Sequence, residues 1–187
     1  MEGVDRCGKT TQCSKLVQKL SEEKLTVEML RFPNRETEIG KVIDAYLKNS
    51  TELSDQAIHL LFSANRWEMN ATIRAKLDAG VNLVVDRYTF SGQAFTFAKG
   101  GMDMEWCKAP DIGLPVPDLV FFLDLDIEQS KKRGNFGEER YEKETMQRTV
   151  RQCFLDMISQ EWCLINADQS VEQVAEDIWQ KCIPLFN

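Results

Sequence analysis

Gly3, Val4, Asp5, Arg6, Cys7, Gly8, Lys9 and Thr10 fit the pattern GxxxxGK[ST], the loop that wraps nucleotide phosphates. Glycines let backbone N–H groups turn inward on phosphate oxygens, a lysine supplies a point charge, and a threonine hydroxyl suits Mg2+. The same letters also arise by chance as a glycine turn ahead of a helix, so the pattern needs support elsewhere. It comes from "LVVDRYTFSGQAF", where Asp86 closes an apolar run and Arg87 follows it. A carboxylate at the end of a buried strand lies on the ligand side of such sheets and can hold Mg2+ through water. The adjacent guanidinium is placed to neutralise a transferring phosphoryl group.

Further arginines suggest a second anionic substrate: Arg35 in "RFPNRETEIG", Arg66 in "LLFSANRW" and Arg133 in "KKRGNFGEERYE". Phe62 and Arg66 stand one helical turn apart, so one face offers an aromatic plate beside a guanidinium. A flat base could stack on the first and hydrogen-bond to the second; plain core packing is the competing role for Phe62. Two readings of Cys7 stay open, a thiol activated by the helix N-terminus with Arg6 and Lys9 nearby, or a small residue in a tight loop. His59 is the only histidine, and its place on a long helix reads as structural.

These residues need a scaffold of strands and helices, and the hydrophobic pattern supplies one. Leu16, Val17 and Leu20 place a helix from Lys9 to about Glu22, and "TVEMLRFP" (26–33) reads as a strand stopped by proline. Ile39, Val42, Ile43, Tyr46 and Leu47 mark a second helix, and Ser54 opens a long one that runs through Leu77 and ends at Gly80. "VNLVVD" (81–86) and "DLVFFLDL" (118–125) are apolar runs of the kind buried on both faces of a parallel sheet. Residues 127–158 read as helix around a break at "RGNFGEERYE", followed by a short strand "CLIN" (163–166) and a helix over 170–183. Strands alternating with helices predict an α/β architecture, a parallel sheet wrapped by helices, with four strands visible.

With 187 residues, 43% of them hydrophobic, the chain suits one domain with one core. A formal charge of -7 argues against a nucleic-acid surface. Six cysteines with no CxxC pair or zinc spacing predict a reduced, intracellular protein, with the cytoplasm as its expected place and the nucleus and mitochondrion as alternatives. No apolar run approaches the roughly 18 residues of a membrane helix, and the N-terminus is no signal peptide.

The segments "FPNRETEIG", "LLFSANRWE", "VVDRYTFSG", "GLPVPDL" and "RGNFGEERYE" resemble the thymidylate kinase family in its eukaryotic form, in order and over nearly the whole chain. The resemblance implies a P-loop nucleoside-monophosphate-kinase fold of five parallel strands, usually a homodimer, that phosphorylates dTMP to dTDP for dTTP synthesis with ATP and Mg2+. It implies that Gly3, Val4, Asp5, Arg6, Cys7, Gly8, Lys9, Thr10 and Thr11 bind ATP, with Thr10 and Asp86 toward Mg2+. Arg6, Lys9, Asp86 and Arg87 would be the catalytic residues, in a member whose lid, about 131–142, carries no catalytic arginine. Asp5 would meet the sugar 3'-hydroxyl, Phe62 would stack on thymine and Arg66 would bond its carbonyl. Arg35 and Arg87 would hold the dTMP phosphate, with Phe32, Ser91, Phe95 and Tyr141 lining the pocket. Arg133 would lie against adenine, with Asn166 and Ala167 closing that side.

Family members carry several apolar residues before the "EG" that here is Glu2 and Gly3, and a further tail after the last helix. The expectation is therefore a first central strand absent, a low melting temperature and little activity. Two alternatives follow: a truncated, non-catalytic thymidylate kinase, or a deoxynucleoside kinase, whose hydroxyl acceptor needs a carboxylate base. The abundance of acceptor-side arginines speaks against the latter.

Overall fold

The computed structural model describes residues 1–133 and 137–186. Gly134, Asn135 and Phe136, inside the predicted break, and Asn187 lie outside the described residues. The elements follow in the order α1 (Lys9–Glu22), β1 (Val27–Arg31), α2 (Glu38–Leu47), α3 (Asp55–Trp67), α4 (Asn70–Asp78), β2 (Asn82–Asp86), α5 (Thr89–Phe97) and α6 (Met104–Lys108). A 3-10 turn (Ala109–Asp111), β3 (Val120–Asp124), α7 (Ile127–Lys131), α8 (Glu144–Met157), β4 (Trp162–Asn166), α9 (Val171–Cys182) and a second 3-10 turn (Ile183–Leu185) complete them.

All four predicted strands form, and they pair in parallel. β1 runs beside β2 with Val27 opposite Asn82, and β3 beside β4 with Val120 opposite Trp162. Residues 1 and 2 join the two ladders. Met1 donates its N-terminal amine to the Val85 carbonyl and accepts from the Arg87 amide, while Glu2 exchanges bonds of 2.8 and 2.9 Å with Phe121 and Leu123 across a parallel bridge. The chain enters the phosphate loop from this central position.

β3 shows why its sequence is an unbroken apolar run. Phe121 and Leu123 point to a cluster with Leu16 and Leu20 of α1 and Val174 and Ile178 of α9. Val120 and Phe122 point the other way, to Ala94 and Phe95 of α5 and Val150 and Phe154 of α8. Helices thus cover both faces, and alternate side chains of one strand serve two cores. Local chemistry starts the helices where the sequence placed them: Thr37 caps α2, Ser54 caps α3 and Ser170 caps α9, each by accepting a backbone N–H.

One long predicted helix is two. α3 stops at Trp67 and α4 begins at Asn70. The Met69 amide bonds back to the Arg66 carbonyl, the tight geometry of a 3-10 turn, and the Glu68 carboxylate takes bonds from Asn65 and Thr37. Beyond this break Ile73 of α4 packs in a small cluster with Phe32, Tyr88 and Leu114.

Candidate active site

The phosphate loop depends on backbone that only certain residues take easily. Gly3 has φ 147° and Gly8 φ 105°, and a Cβ on Gly3 would sit 2.7 Å from the Leu123 carbonyl oxygen. Gly8 leads into α1, whose N-terminus has no side-chain cap and no acidic residue in its first turn. Its N–H groups and dipole are therefore available to an anion. Lys9 is folded over the loop, its Nζ 2.7 Å from the Val4 carbonyl.

Thr10 and Asp86 meet although they lie far apart in sequence: Thr10 Oγ1 donates to Asp86 Oδ2 at 2.5 Å. Asp86 ends β2 almost wholly buried, with Arg31 Nε 3.8 Å away. A hydroxyl and a carboxylate side by side at the mouth of a phosphate loop suit Mg2+, a hard cation that takes one or two protein oxygens and completes its shell with phosphate and water. Clusters of three or more His, Cys, Asp or Glu are absent among the described residues, which such a site does not require.

Arg87 forms the hub on the acceptor side. It adopts φ 63°, a strained value for a non-glycine residue, which turns its guanidinium back under the loop. One nitrogen donates to the Gly3 carbonyl and Ser91 Oγ, each at 3.0 Å, and another binds Asp5. Burial would lower its pKa, but the carboxylates of Asp5, Asp86 and Glu2 outweigh burial and raise it, so the charge is secure. Its guanidinium carbon also lies 5.2 Å from the Phe95 ring centroid. Asp5 is clamped a second time by Gln147 of α8, whose Nε2 donates to Asp5 Oδ2 at 2.6 Å while its Oε1 accepts the Asp5 amide at 2.8 Å.

Two carboxylates from the segment before α8 reach the remaining cations. Glu139 binds Arg35 through both oxygens at 2.6 and 3.0 Å, with Asp44 also on Arg35. These contacts raise the Arg35 pKa, Glu139 contributing most. Glu142 binds Arg6 at 2.9 and 3.2 Å and accepts the amides of Gly137, Glu138 and Glu139. Arg133 ties the loop to the far strand, bonding the Cys7 and Ala167 carbonyls at 2.9 and 2.8 Å.

These groups surround one cavity of about 750 Å³, within the range of ligand clefts. Asp5 to Thr11, Phe32, Arg35, Phe62, Arg66, Asp86, Arg87, Ser91, Phe95, Arg133, Tyr141 and Ala167 all line it. Three predicted residues do not. Gly3 and Val4 lie beneath the loop, Val4 packed into the core, and the Asn166 side chain turns onto the Asp168 amide. The Cys7 sulfur is buried, which suits the small-residue role, while Lys9 Nζ 3.6 Å away suits the activated thiol, and both readings stay open. His59 is buried against Thr96 and Trp106, away from the cavity, as a structural residue would be.

An uncapped helix N-terminus under a glycine loop, an oxygen pair fit for Mg2+ and a facing cleft lined with arginines define the class, a P-loop kinase of the nucleoside-monophosphate-kinase fold. The comparisons narrow it. The thymidylate kinase family model matches residues 1–178. The thymidylate kinase of Danio rerio is 52% identical over 181 residues, covering 95% of this chain and 85% of that protein. That of Homo sapiens is 50% identical with the same coverage. The structure of the Candida albicans thymidylate kinase superposes with a TM-score of 0.91 at 40% identity, covering 98% of this chain and 89% of the other. The chain belongs to the thymidylate kinase family.

Sequence reasoning missed Glu2, Asp111, Glu139, Glu142 and Gln147. Glu2 is buried and accepts the Tyr88 and Ser91 amides at the start of α5, where a negative charge also complements the helix dipole. "GNFGEERYE" did signal a lid, but which of its carboxylates meets which arginine depends on long-range packing.

Proposed function

We propose that this chain transfers the γ-phosphoryl group of ATP to the phosphate of dTMP, giving dTDP and ADP. The observation that carries this reading is the facing arrangement of the phosphate loop and the Arg35–Arg87 side of one cavity, with Phe62 and Arg66 beyond. The acceptor is a phosphate oxygen already ionised at neutral pH, so no side chain must take a proton. Catalysis then reduces to positioning and charge neutralisation.

In this account the loop amides and Lys9 hold the β- and γ-phosphates, and Arg6 neutralises the group in transfer. Thr10 and Asp86 would hold Mg2+, which when bound would neutralise charge on the phosphate oxygens. Arg87 and Arg35 hold the dTMP phosphate, Asp5 accepts the sugar 3'-hydroxyl, and Phe62 and Arg66 receive the base. Phe32, Ser91, Phe95 and Tyr141 wall the acceptor side, and Arg133 and Ala167 the adenine side. The acceptor phosphate takes the place of Glu139 at Arg35, which couples substrate entry to the lid, residues 131–142, over a single thymidylate-kinase domain.

A non-catalytic remnant is less favoured, because the residues for both substrates converge on one cavity. A deoxynucleoside kinase is less favoured too, since the acceptor-side carboxylate Asp5 is engaged by Arg87 and Gln147. We extend the proposal to a homodimer, in keeping with the exposed apolar side chains Leu60 and Trp67 on α3 and Ile112 and Val116 near the 3-10 turn. Among the described residues no helix is long and apolar enough to cross a membrane. The test is Lys9→Ala, which leaves the loop backbone to turn but removes its charge. Phosphoryl transfer should fall by at least about a hundredfold with the melting temperature little changed. Substantial turnover by this variant would overturn the assignment of the loop.

A further inference from the structure

Arg66 lies in the last turn of α3 and lines the cavity, and two of its nitrogens are committed. Nε and Nη2 both donate to the Asp111 carboxylate, at 3.0 and 2.8 Å. Both groups are almost fully buried. Asp111 closes the 3-10 turn Ala109–Asp111 and is itself held in place. Ser63, one turn before Arg66 on α3, donates its hydroxyl to Asp111 Oδ1 at 2.7 Å and lies 3.0 Å from the Pro110 carbonyl. Trp67 Nε1 bonds the same carbonyl at 2.7 Å. The turn is thus stapled to α3 on both sides of Arg66.

The opposite side of the guanidinium is bounded by backbone. Gly92 in α5 faces it so closely that a Cβ there would stand 2.8 Å from Nη2 and 3.2 Å from Nη1. Arg66 Nη1 makes no hydrogen bond among the described residues, and Arg66 lines the cavity. A side chain with a fixed plane therefore presents donors to whatever base occupies the site.

We propose that Asp111 is a positioning residue that fixes the plane of the Arg66 guanidinium, and through it the preference for an oxo over an amino group on the base, with Gly92 as the clearance this requires. The proposal rests on the dTMP kinase reading above. A guanidinium has no acceptor, so an exocyclic amino group placed against it meets only donors and stays unpaired. The carboxylate of Asp111 would otherwise serve as that acceptor. Both its oxygens already accept, Oδ1 from Nε and Ser63 and Oδ2 from Nη2, and Asp111 itself does not line the cavity, so at this point the wall presents the guanidinium and not the carboxylate. Leaving a buried polar group without its partner is what gives such sites their large discrimination.

The experiment measures steady-state constants for dTMP, dCMP and ATP with wild type, Asp111→Asn, Ser63→Ala and Gly92→Ala, alongside thermal melts. Asp111→Asn keeps the volume but points an amide donor at a guanidinium. The KM for dTMP should rise about tenfold or more, that for ATP should change less than about twofold, and the preference for dTMP over dCMP in kcat/KM should fall about tenfold. Ser63→Ala should move the same quantities in the same direction by less. Gly92→Ala displaces the guanidinium while leaving the Asp111 carboxylate intact, so it decides the matter if Asp111→Asn does not fold. Its dTMP KM and its preference should shift while the KM for ATP holds, and the melting temperature should fall because the displaced guanidinium loses part of its buried pairing with Asp111. Folded variants that keep the wild-type dTMP KM and preference, or in which the KM values for dTMP and ATP rise together, overturn the role of Asp111 alone. A wild-type protein with no dTMP turnover would instead overturn the proposed function, and this inference with it.

Discussion

Gln147 offers the sharpest test of how the site is held, because a single side chain on α8 fixes the loop carboxylate that meets Arg87. Replacing it with alanine removes the 2.6 Å bond to Asp5 Oδ2, the 2.8 Å bond from the Asp5 amide and the 2.9 Å bond to the Tyr141 carbonyl. The first involves a charged acceptor, worth about 1.5–3 kcal/mol, and the other two about 0.5–1.5 kcal/mol each. Water from the cavity reaches the half-buried Asp5, so the loss falls to about 2–4 kcal/mol. In a domain of this size that lowers the melting temperature by roughly 5–15 °C. Asp5 would also release its grip on Arg87, and displacement of a positioning group on the order of 1 Å costs about a hundredfold in rate. A coupled assay for ADP release together with calorimetry reads both effects. Gln147→Glu sharpens the test, since it preserves volume but loses the donor and sets a second carboxylate against Asp5. Glutamate should therefore impair dTMP turnover more than alanine does. If it is equal to or better than alanine, Gln147 acts only by packing and the clamp reasoning is refuted.

Phe62→Ala should weaken dTMP by about 1–3 kcal/mol, read as a rise in its KM, while the KM for ATP holds; equal weakening of both would return Phe62 to a packing role. His59 is the only histidine, and burial, with Arg66 nearby, depresses its pKa below the ordinary 6.5. The fold thus favours the neutral ring. Its contribution to stability is complete above about pH 6.5 and is lost as pH falls through the lowered folded-state value. The melting temperature should decline from about pH 7.5 to 5.5 in the wild type and less in His59→Gln; equal slopes would exclude the histidine as the cause.

The sequence revealed those parts of the fold that rest on local pattern. "DLVFFLDL" became β3 because alternate residues enter two cores, and Ser54 and Ser170 became helix caps because the capping chemistry is local. The loop and the Asp86–Arg87 strand end were legible for the same reason. The α3–α4 kink was not, since it depends on Glu68 finding Thr37 and on Ile73 finding a cluster assembled from three other segments. Asp111, Glu139, Glu142 and Gln147 were silent because a carboxylate or amide on a helix or turn looks solvated until its partner arrives. Gln147 and Asp5 are separated by 142 positions. Family resemblance carried the substrate-facing residues; it said nothing of the groups that brace them.

The central claim is that the acceptor is a phosphate, held by Arg35 and Arg87, and not a hydroxyl. It is tested most directly by supplying the purified chain with ATP and Mg2+ and measuring ADP release with dTMP and, separately, with thymidine, with the nucleotide products resolved by phosphorus NMR. The account predicts ADP and dTDP from dTMP and no phosphorylation of thymidine. Formation of dTMP from thymidine, or no dTDP from dTMP by the folded protein, would contradict it.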